Sequence, residues 1–212
     1  MPLWSRHRSM SELGCLTAPQ TILITTRCSA GCRHCPFSDG ALPALDLSIN
    51  EIKRRMLRLG FGLHVLSGGE PFQHPEIDAI VNFLGSEGST FSASYRIATG
   101  GGIELGSWIR PLTALTSSDS NFAGISVGTD IPLGNTPNRA KDVLNKVWTK
   151  NLRTLVKSNI PYSLTITVDR SEEEEANAVR KVSEWIPGAQ FLYVRVRNPD
   201  GTLAERMIRP GL

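Results

Sequence analysis

Residues 21–35 read TILITTRCSAGCRHC. The opening run, Thr21–Thr26, reads as a short β-strand. Cys28, Cys32 and Cys35 then begin a long loop, Arg27 to Leu47. Outward from this point, strand-like runs keep alternating with longer segments of helical period. Ser48 and Glu51 have capping-box spacing, and Ile49, Ile52, Met56 and Leu59 mark a helix that stops at Gly60. Leu63–Ser67 is the second strand. Pro75 stands where a helix can begin; Ile77, Ile80, Val81 and Leu84 form its buried stripe, and Gly85 reads as its end. Phe91–Ala98 is the third strand, followed by three glycines and an indistinct helix to about Leu115.

Phe122–Val127 is the fourth strand. A helix from about Asn138 to Ser158 turns Val143, Leu144, Val147, Leu152 and Leu155 inward. Tyr162–Val168 is the fifth strand. Ser171 and Glu174 repeat the capping-box spacing. The acidic run Glu172–Glu175 then falls in a first helical turn, where the helix dipole favours negative charge. Pro187 and Gly188 end that helix, and Phe191–Val196 is the sixth strand.

Six strand–helix units in strict alternation imply an α/β fold with a parallel sheet and helices outside. Right-handed crossovers curl such a sheet toward a TIM-like barrel, and six units are too few to close the ordinary eight-stranded one. The expectation is a partial (β/α)6 barrel over residues 21–212, with residues 1–20 as an N-terminal extension. Strands five and six each show one polar face: Ser163, Thr165 and Thr167 in one, Tyr193, Arg195 and Arg197 in the other. A parallel strand buried on both faces reads as nearly all apolar. The polar faces are therefore expected to line a ligand cavity; a solvent-facing sheet or a barrel mouth filled by side chains are the alternatives.

The chain has 212 residues, 40% hydrophobic and 20% charged, which suits one domain with a full core and no disulfide staples. A net charge of +3 gives no argument for nucleic-acid binding, and Lys53-Arg54-Arg55 reads as the solvated face of a helix. No apolar run approaches a membrane span. Arg6, His7 and Arg8 have no apolar stretch behind them, so no secretory signal is read and a cytoplasmic location is expected. Structural disulfides are rare there, and clustered cysteines favour metal ligation. Cys15 stands apart and reads as a small buried hydrophobe.

The three cysteines have the spacing C-x3-C-x2-C. Three thiolates on one tight loop can hold three irons of a cubane cluster and leave the fourth without a protein thiolate, whereas ordinary electron-transfer clusters use four cysteines. Zinc stays open at this point: Cys32 and Cys35 form one C-x2-C pair, and Cys15, Cys28 or His34 could complete four ligands.

The second strand ends in Ser67-Gly68-Gly69-Glu70-Pro71. A C-x3-C-x2-C loop after the first strand and Gly-Gly-Glu-Pro after the second together resemble the radical S-adenosylmethionine (radical SAM) superfamily. The likeness spans roughly Thr21 to Arg197 and is strong at these two motifs. It implies a partial (β/α)6 barrel, as counted independently above. It implies that Cys28, Cys32 and Cys35 hold a [4Fe–4S] cluster whose free iron binds the amino and carboxylate groups of S-adenosylmethionine. His34 departs from the family's aromatic residue beside the adenine. Gly68, Gly69 and Glu70 match the motif for the cofactor's ammonium group: glycines allow close backbone approach, and a carboxylate accepts a charge-assisted hydrogen bond. Thr99, in Ala98-Thr99-Gly100, resembles the family's Thr-x-Gly turn. Ser126, with Asp130 close behind, sits where the family often has a serine touching the cofactor. Arg195 is a further candidate for a carboxylate.

The implied activity is reductive cleavage of S-adenosylmethionine to a 5′-deoxyadenosyl radical that takes hydrogen from a substrate. An electron donor such as flavodoxin or ferredoxin is the implied partner, with no membrane or nucleic acid. The substrate is a peptide on one reading; a 7-carboxy-7-deazaguanine synthase-like or glycyl-radical-activating role are alternatives. No cysteine follows Cys35, so the auxiliary-cluster domain of many peptide-modifying relatives is not expected. A non-catalytic zinc or iron–sulfur module is the alternative of another class.

Overall fold

The computed structural model describes residues 19–32, 35–37, 42–117, 121–134, 141–169, 172–185, 192–197 and 203–208, with backbone alone at 132, 141, 168–169, 172–176, 183, 192–197 and 203–208. Strands β1 (Gln20–Thr25), β2 (Gly62–Gly68), β3 (Ala93–Thr99), β4 (Phe122–Gly128), β5 (Tyr162–Asp169) and β6 (Leu192–Arg197) pair in sequence order, each parallel to the next. Between them run α1 (Ile49–Leu59), α2 (Ile77–Glu87), α3 (Ile109–Ser117), α4 (Asp130–Leu133), α5 (Lys141–Lys157) and α6 (Glu172–Trp185).

A seventh strand, β7 (Leu203–Ile208), lies antiparallel against β6. The strand–helix rhythm did not announce it, because an antiparallel return needs only a short connection and no crossover helix. Among the described residues β1 and β7 are the two edges, so the sheet is open, as six parallel strands require.

The helices cover one face of the sheet. Ile52 and Met56 of α1, Ile80 and Leu84 of α2, Leu112 and Leu115 of α3, Leu152 and Leu155 of α5 and Val182 of α6 meet Ile22, Leu66, Tyr95, Ile97, Ile125 and Leu164 in one buried cluster. The expected cap of α1 is present: Glu51 N–H donates to the Ser48 hydroxyl and the Glu51 carboxylate accepts from Ser48 N–H. Gly60 ends that helix at φ 69°.

Three local expectations fail. Val143 is 66% exposed; the inward stripe of α5 runs Leu144, Trp148, Leu152, Leu155, and Val143 stands one helical step off it. Gly85 does not end α2. It is a helix contact, where an added Cβ would lie 3.2 Å from Leu115 Cδ2, and the helix continues to Glu87. Pro75 precedes the helix, whose N-cap is Glu76.

On β4 and β5 the other face carries buried polar side chains. Ser126 Oγ and Thr165 Oγ1 share a hydrogen bond of 2.7 Å, and Arg96 Nη1 reaches Ser163 Oγ at 3.2 Å. Ser126, Ser163 and Thr165 are all buried. For strand five the solvent-facing alternative therefore falls, and the side chains of strand six lie outside the described residues. At this level the interior is crossed by side chains bonded to one another, and Thr167, the next inward position toward the strand ends, is only half-buried.

Candidate functional site

Because β1–β6 are parallel, the loops after them gather at one edge of the sheet. At that edge β1 and β2 are joined backbone to backbone beyond the ladder. Gly69 N–H donates to Thr25 O at 2.9 Å and Glu70 N–H to Arg27 O at 2.7 Å. This crossing explains the two glycines. A Cβ on Gly68, at φ 147°, would lie 2.1 Å from Thr25 O, and one on Gly69 would lie 2.2 Å from Arg27 O. No other residue type allows that approach.

The crossing delivers Glu70 into the interior, where it is 3% exposed. Its Oε2 accepts from the Thr99 hydroxyl at 2.9 Å and Gly100 N–H at 3.0 Å, and its Oε1 from Phe72 N–H at 3.3 Å. Thr99 Oγ1 in turn accepts from Gly101 N–H. Burial pushes the Glu70 carboxyl up to about 7, against the pull of those three hydrogen bonds. An anion held this way, with one oxygen only weakly engaged, suits a cationic ligand group.

Cys28, Cys32 and Cys35 are half-buried on the loop that leaves Arg27, and Cys35 N–H closes a turn onto Cys32 O at 3.1 Å. Burial raises the Cys28 thiol, helped by Glu70 and Cys35 and opposed by the Ala30 amide. Burial first, then Asp130, the other two cysteines and Glu70, push Cys32 up to about 12. Cys28, Cys35, Glu70 and Asp130 therefore crowd Cys32 in one pocket and disfavour its thiolate. Among the described residues no three His, Cys, Asp or Glu groups are placed to share a single metal ion. A cubane cluster asks each thiolate for a different iron, and its positive irons together with an ammonium group would supply the charge this pocket lacks. The donor set fits the group.

The loop after β4 closes on the same place. A Cβ on Gly128 would lie 3.5 Å from Asp130 Oδ2 and from Thr99 O. Gly102, after β3, faces Ile131 and Leu144, with Ala30 of the cysteine loop at the edge of contact. Asn151 of α5 fixes the intervening turn: it accepts from Leu105 N–H and donates to Gly101 O and Ile103 O.

The neck of the cysteine loop is stapled. Residues 43–47 return antiparallel to the end of β1, with Thr26 N–H to Leu45 O at 2.9 Å and Leu47 N–H to Ile24 O at 2.8 Å. Asp46 accepts from the Thr25 hydroxyl at 2.6 Å and from Arg27 Nε at 2.8 Å. These bonds hold its carboxyl below the usual range although burial works the other way.

Of the residues singled out from sequence, Cys28, Cys32, Cys35, Gly68, Gly69, Glu70 and Thr99 come together here. Ser126 lies deeper, level with Ala98 and Ser163 and bonded to Thr165. Arg195 occupies the register position opposite Thr167, and its side chain lies outside the described residues, as do those of Tyr193 and Arg197. His34, Cys15 and the extension up to residue 18 also lie outside them. Glu184, on α6, is bonded to Arg180 at 2.7 Å. Sequence reading missed Asp46 and Asn151. Neither belongs to a spaced motif, and their partners are 19 and 46 or more residues away.

No curated protein matches the chain. Among solved structures it is similar to methylornithine synthase (PylB), at 16% identity and TM-score 0.58 over 87% of this chain and 55% of that one. It is similar to anSMEcpe with bound AdoMet, at 16% identity and TM-score 0.62 over 84% and 51%. It is also similar to Streptococcus suis SuiB bound to S-adenosylmethionine, at 14% identity and TM-score 0.54 over 90% and 44%. The chain thus spans about half the length of these structures. At such identities they speak for the fold. The family model described as the Radical SAM superfamily matches residues 22–182, a span that contains the cysteine loop and the Gly-Gly-Glu crossing. A match over that length, on a fold of that kind, makes the chain a member of the radical SAM superfamily, whose cofactors are a [4Fe–4S] cluster and S-adenosylmethionine.

Proposed function

We propose that Cys28, Cys32 and Cys35 hold the cluster and that Gly68–Glu70 hold the ammonium group of S-adenosylmethionine. When bound, this pair supplies one-electron cleavage to methionine and a 5′-deoxyadenosyl radical, which takes a hydrogen atom from a substrate. The observation that supports this is the backbone crossing at Thr25 and Arg27. It sets a buried carboxylate beside a three-thiol loop, at the edge where all parallel strands end.

The chain's own groups have separate tasks in this reading. Cys28, Cys32 and Cys35 would hold the cluster through their thiolates. Glu70, held by Thr99 and Gly100, accepts from the ammonium group. His34, Ser126 and Arg195 are the further proposed cofactor contacts. Residues 21–212 form the catalytic core and residues 1–20 an extension. The buried polar bonds below Thr165 keep water out of the interior beneath the site. A substrate peptide or small molecule enters from the strand-end edge. A flavodoxin or ferredoxin supplies the electron, and a cytoplasmic setting suits the oxygen-sensitive cluster. No helix among the described residues is long and apolar enough to cross a membrane.

The test is anaerobic. Purified protein should carry four irons per chain, and with S-adenosylmethionine and dithionite it should release 5′-deoxyadenosine, slowly even without substrate. Cys32→Ala should abolish that release. One zinc and no iron in the wild-type protein would replace the enzyme with a metal-binding module.

A further inference from the structure

We infer that Asp46 is a positioning residue for both halves of the site: it holds the cysteine loop and the Gly-Gly-Glu turn in one fixed relation. Only the cluster arm of the test below rests on the proposed function.

The inference follows from how the hydrogen bonds connect. Thr25, Thr26 and Arg27 are shared by two structures at once. Their carbonyl side carries the turn, with Thr25 O bonded to Gly69 N–H and Arg27 O to Glu70 N–H. Their side chains and the Thr26 amide carry the returning segment 43–47. Thr26 Oγ1 donates to Pro43 O and accepts from Leu45 N–H. Asp46 closes the set. Arg27 N–H donates to Thr25 Oγ1 at 3.1 Å, Thr25 Oγ1 donates to Asp46 Oδ1 at 2.6 Å, and Asp46 Oδ2 takes Arg27 Nε at 2.8 Å. This ring fixes the backbone of residues 25–27, directly before Cys28. The backbone of Glu70 is joined to this set through the Arg27 carbonyl.

The ion pair alone does not carry this. Arg27 is half exposed, with 53% of its side chain accessible, and exposed pairs contribute little. The weight is on the Thr25 bond, because Thr25 is fully buried. Without the carboxylate its hydroxyl loses its acceptor, and an orphaned buried donor is costly. Neutral and charged parts can thus be separated: Asp46→Asn keeps an oxygen for Thr25 but weakens the hold on Arg27, whereas Asp46→Ala removes both.

The experiment reads amide hydrogen exchange in the full metal-free chain. Asp46→Ala should speed exchange at Gly69 and Glu70 about tenfold or more, the size of one charge-assisted bond lost. Asp46→Asn should give a smaller rise, and amides of the central strand at Tyr95 and Ile97 should stay unchanged. If Gly69 and Glu70 exchange as in wild type in both variants, Asp46 holds only its own loop and the inference falls. Should Asp46→Ala not fold, Asp46→Asn decides by the same amides. In the second arm, chelator-driven loss of the cluster's visible band should be about tenfold faster in Asp46→Ala than in wild type; an equal rate would count against the inference. Failure of wild-type protein to take up four irons would sink the proposed function instead, while the exchange arm still decides the role of Asp46.

Discussion

Glu70 makes the metal-free protein sensitive to pH in a direction opposite to most carboxylates. Its native carboxyl ionises near 7, against 4.5 for the ordinary group, because burial outweighs the bonds from Thr99, Phe72 and Gly100. Between these two values the folded chain binds a proton that the unfolded chain has already released. Stability must therefore fall as pH rises through this window. The penalty is absent below about 4.5 and complete above about 7. At roughly 1.4 kcal/mol per pH unit, the full gap corresponds to about 3 kcal/mol.

The perturbation is Glu70→Gln, which keeps an oxygen toward Thr99 and Gly100 and resembles the protonated acid. Urea unfolding of wild type and variant at pH 5 and pH 8 isolates the group, since other titrations cancel in the difference. The wild type should lose about 2–3 kcal/mol relative to the variant between those conditions. A difference independent of pH would refute the reasoning and mean that Glu70 stays ionised in its pocket.

Gly69→Ala should unfold the site locally and cost about 3 kcal/mol or more, since its Cβ would meet the Arg27 carbonyl at 2.2 Å with only backbone to give way; thermal melting and iron uptake check this, and a wild-type melt would contradict it. Asn151→Ala leaves Leu105 N–H, Gly101 O and Ile103 O without their partner and should cost about 3 kcal/mol, with faster amide exchange across the turn after β3. Ser126→Ala should cost only about 1 kcal/mol, the share of its bond to Thr165, and should raise the S-adenosylmethionine dissociation constant if Ser126 touches the cofactor; an unchanged constant in calorimetry removes it from the proposed contacts.

Local pattern carried a good deal of this protein. The cap at Ser48, the stop at Gly60 and the six parallel strands all lie where alternation and spacing place them, because each depends on residues a few positions apart. The two motifs were legible for the same reason: spacing within a loop is a property of the chain. What proximity in sequence does not encode needed the fold. Gly85 carries the mark of a helix stop, yet it serves a contact with α3 that no local rule anticipates. Val143 and Trp148 are both apolar enough to face the core, and packing against α6 and the turn after β3 chose the tryptophan. The strand β7 follows no crossover and so broke no rhythm. Most of all, the chemistry of the site is long-range. Glu70 titrates near neutrality only because the crossing at Arg27 buries it, and Asp46 matters only because residues 43–47 fold back on β1. Sequence by itself decided which groups the chain owns and the order in which its strands and helices arise. Tertiary structure decided which groups share a low-dielectric pocket, because burial and hydrogen bonding between distant residues exist only once the sheet has formed.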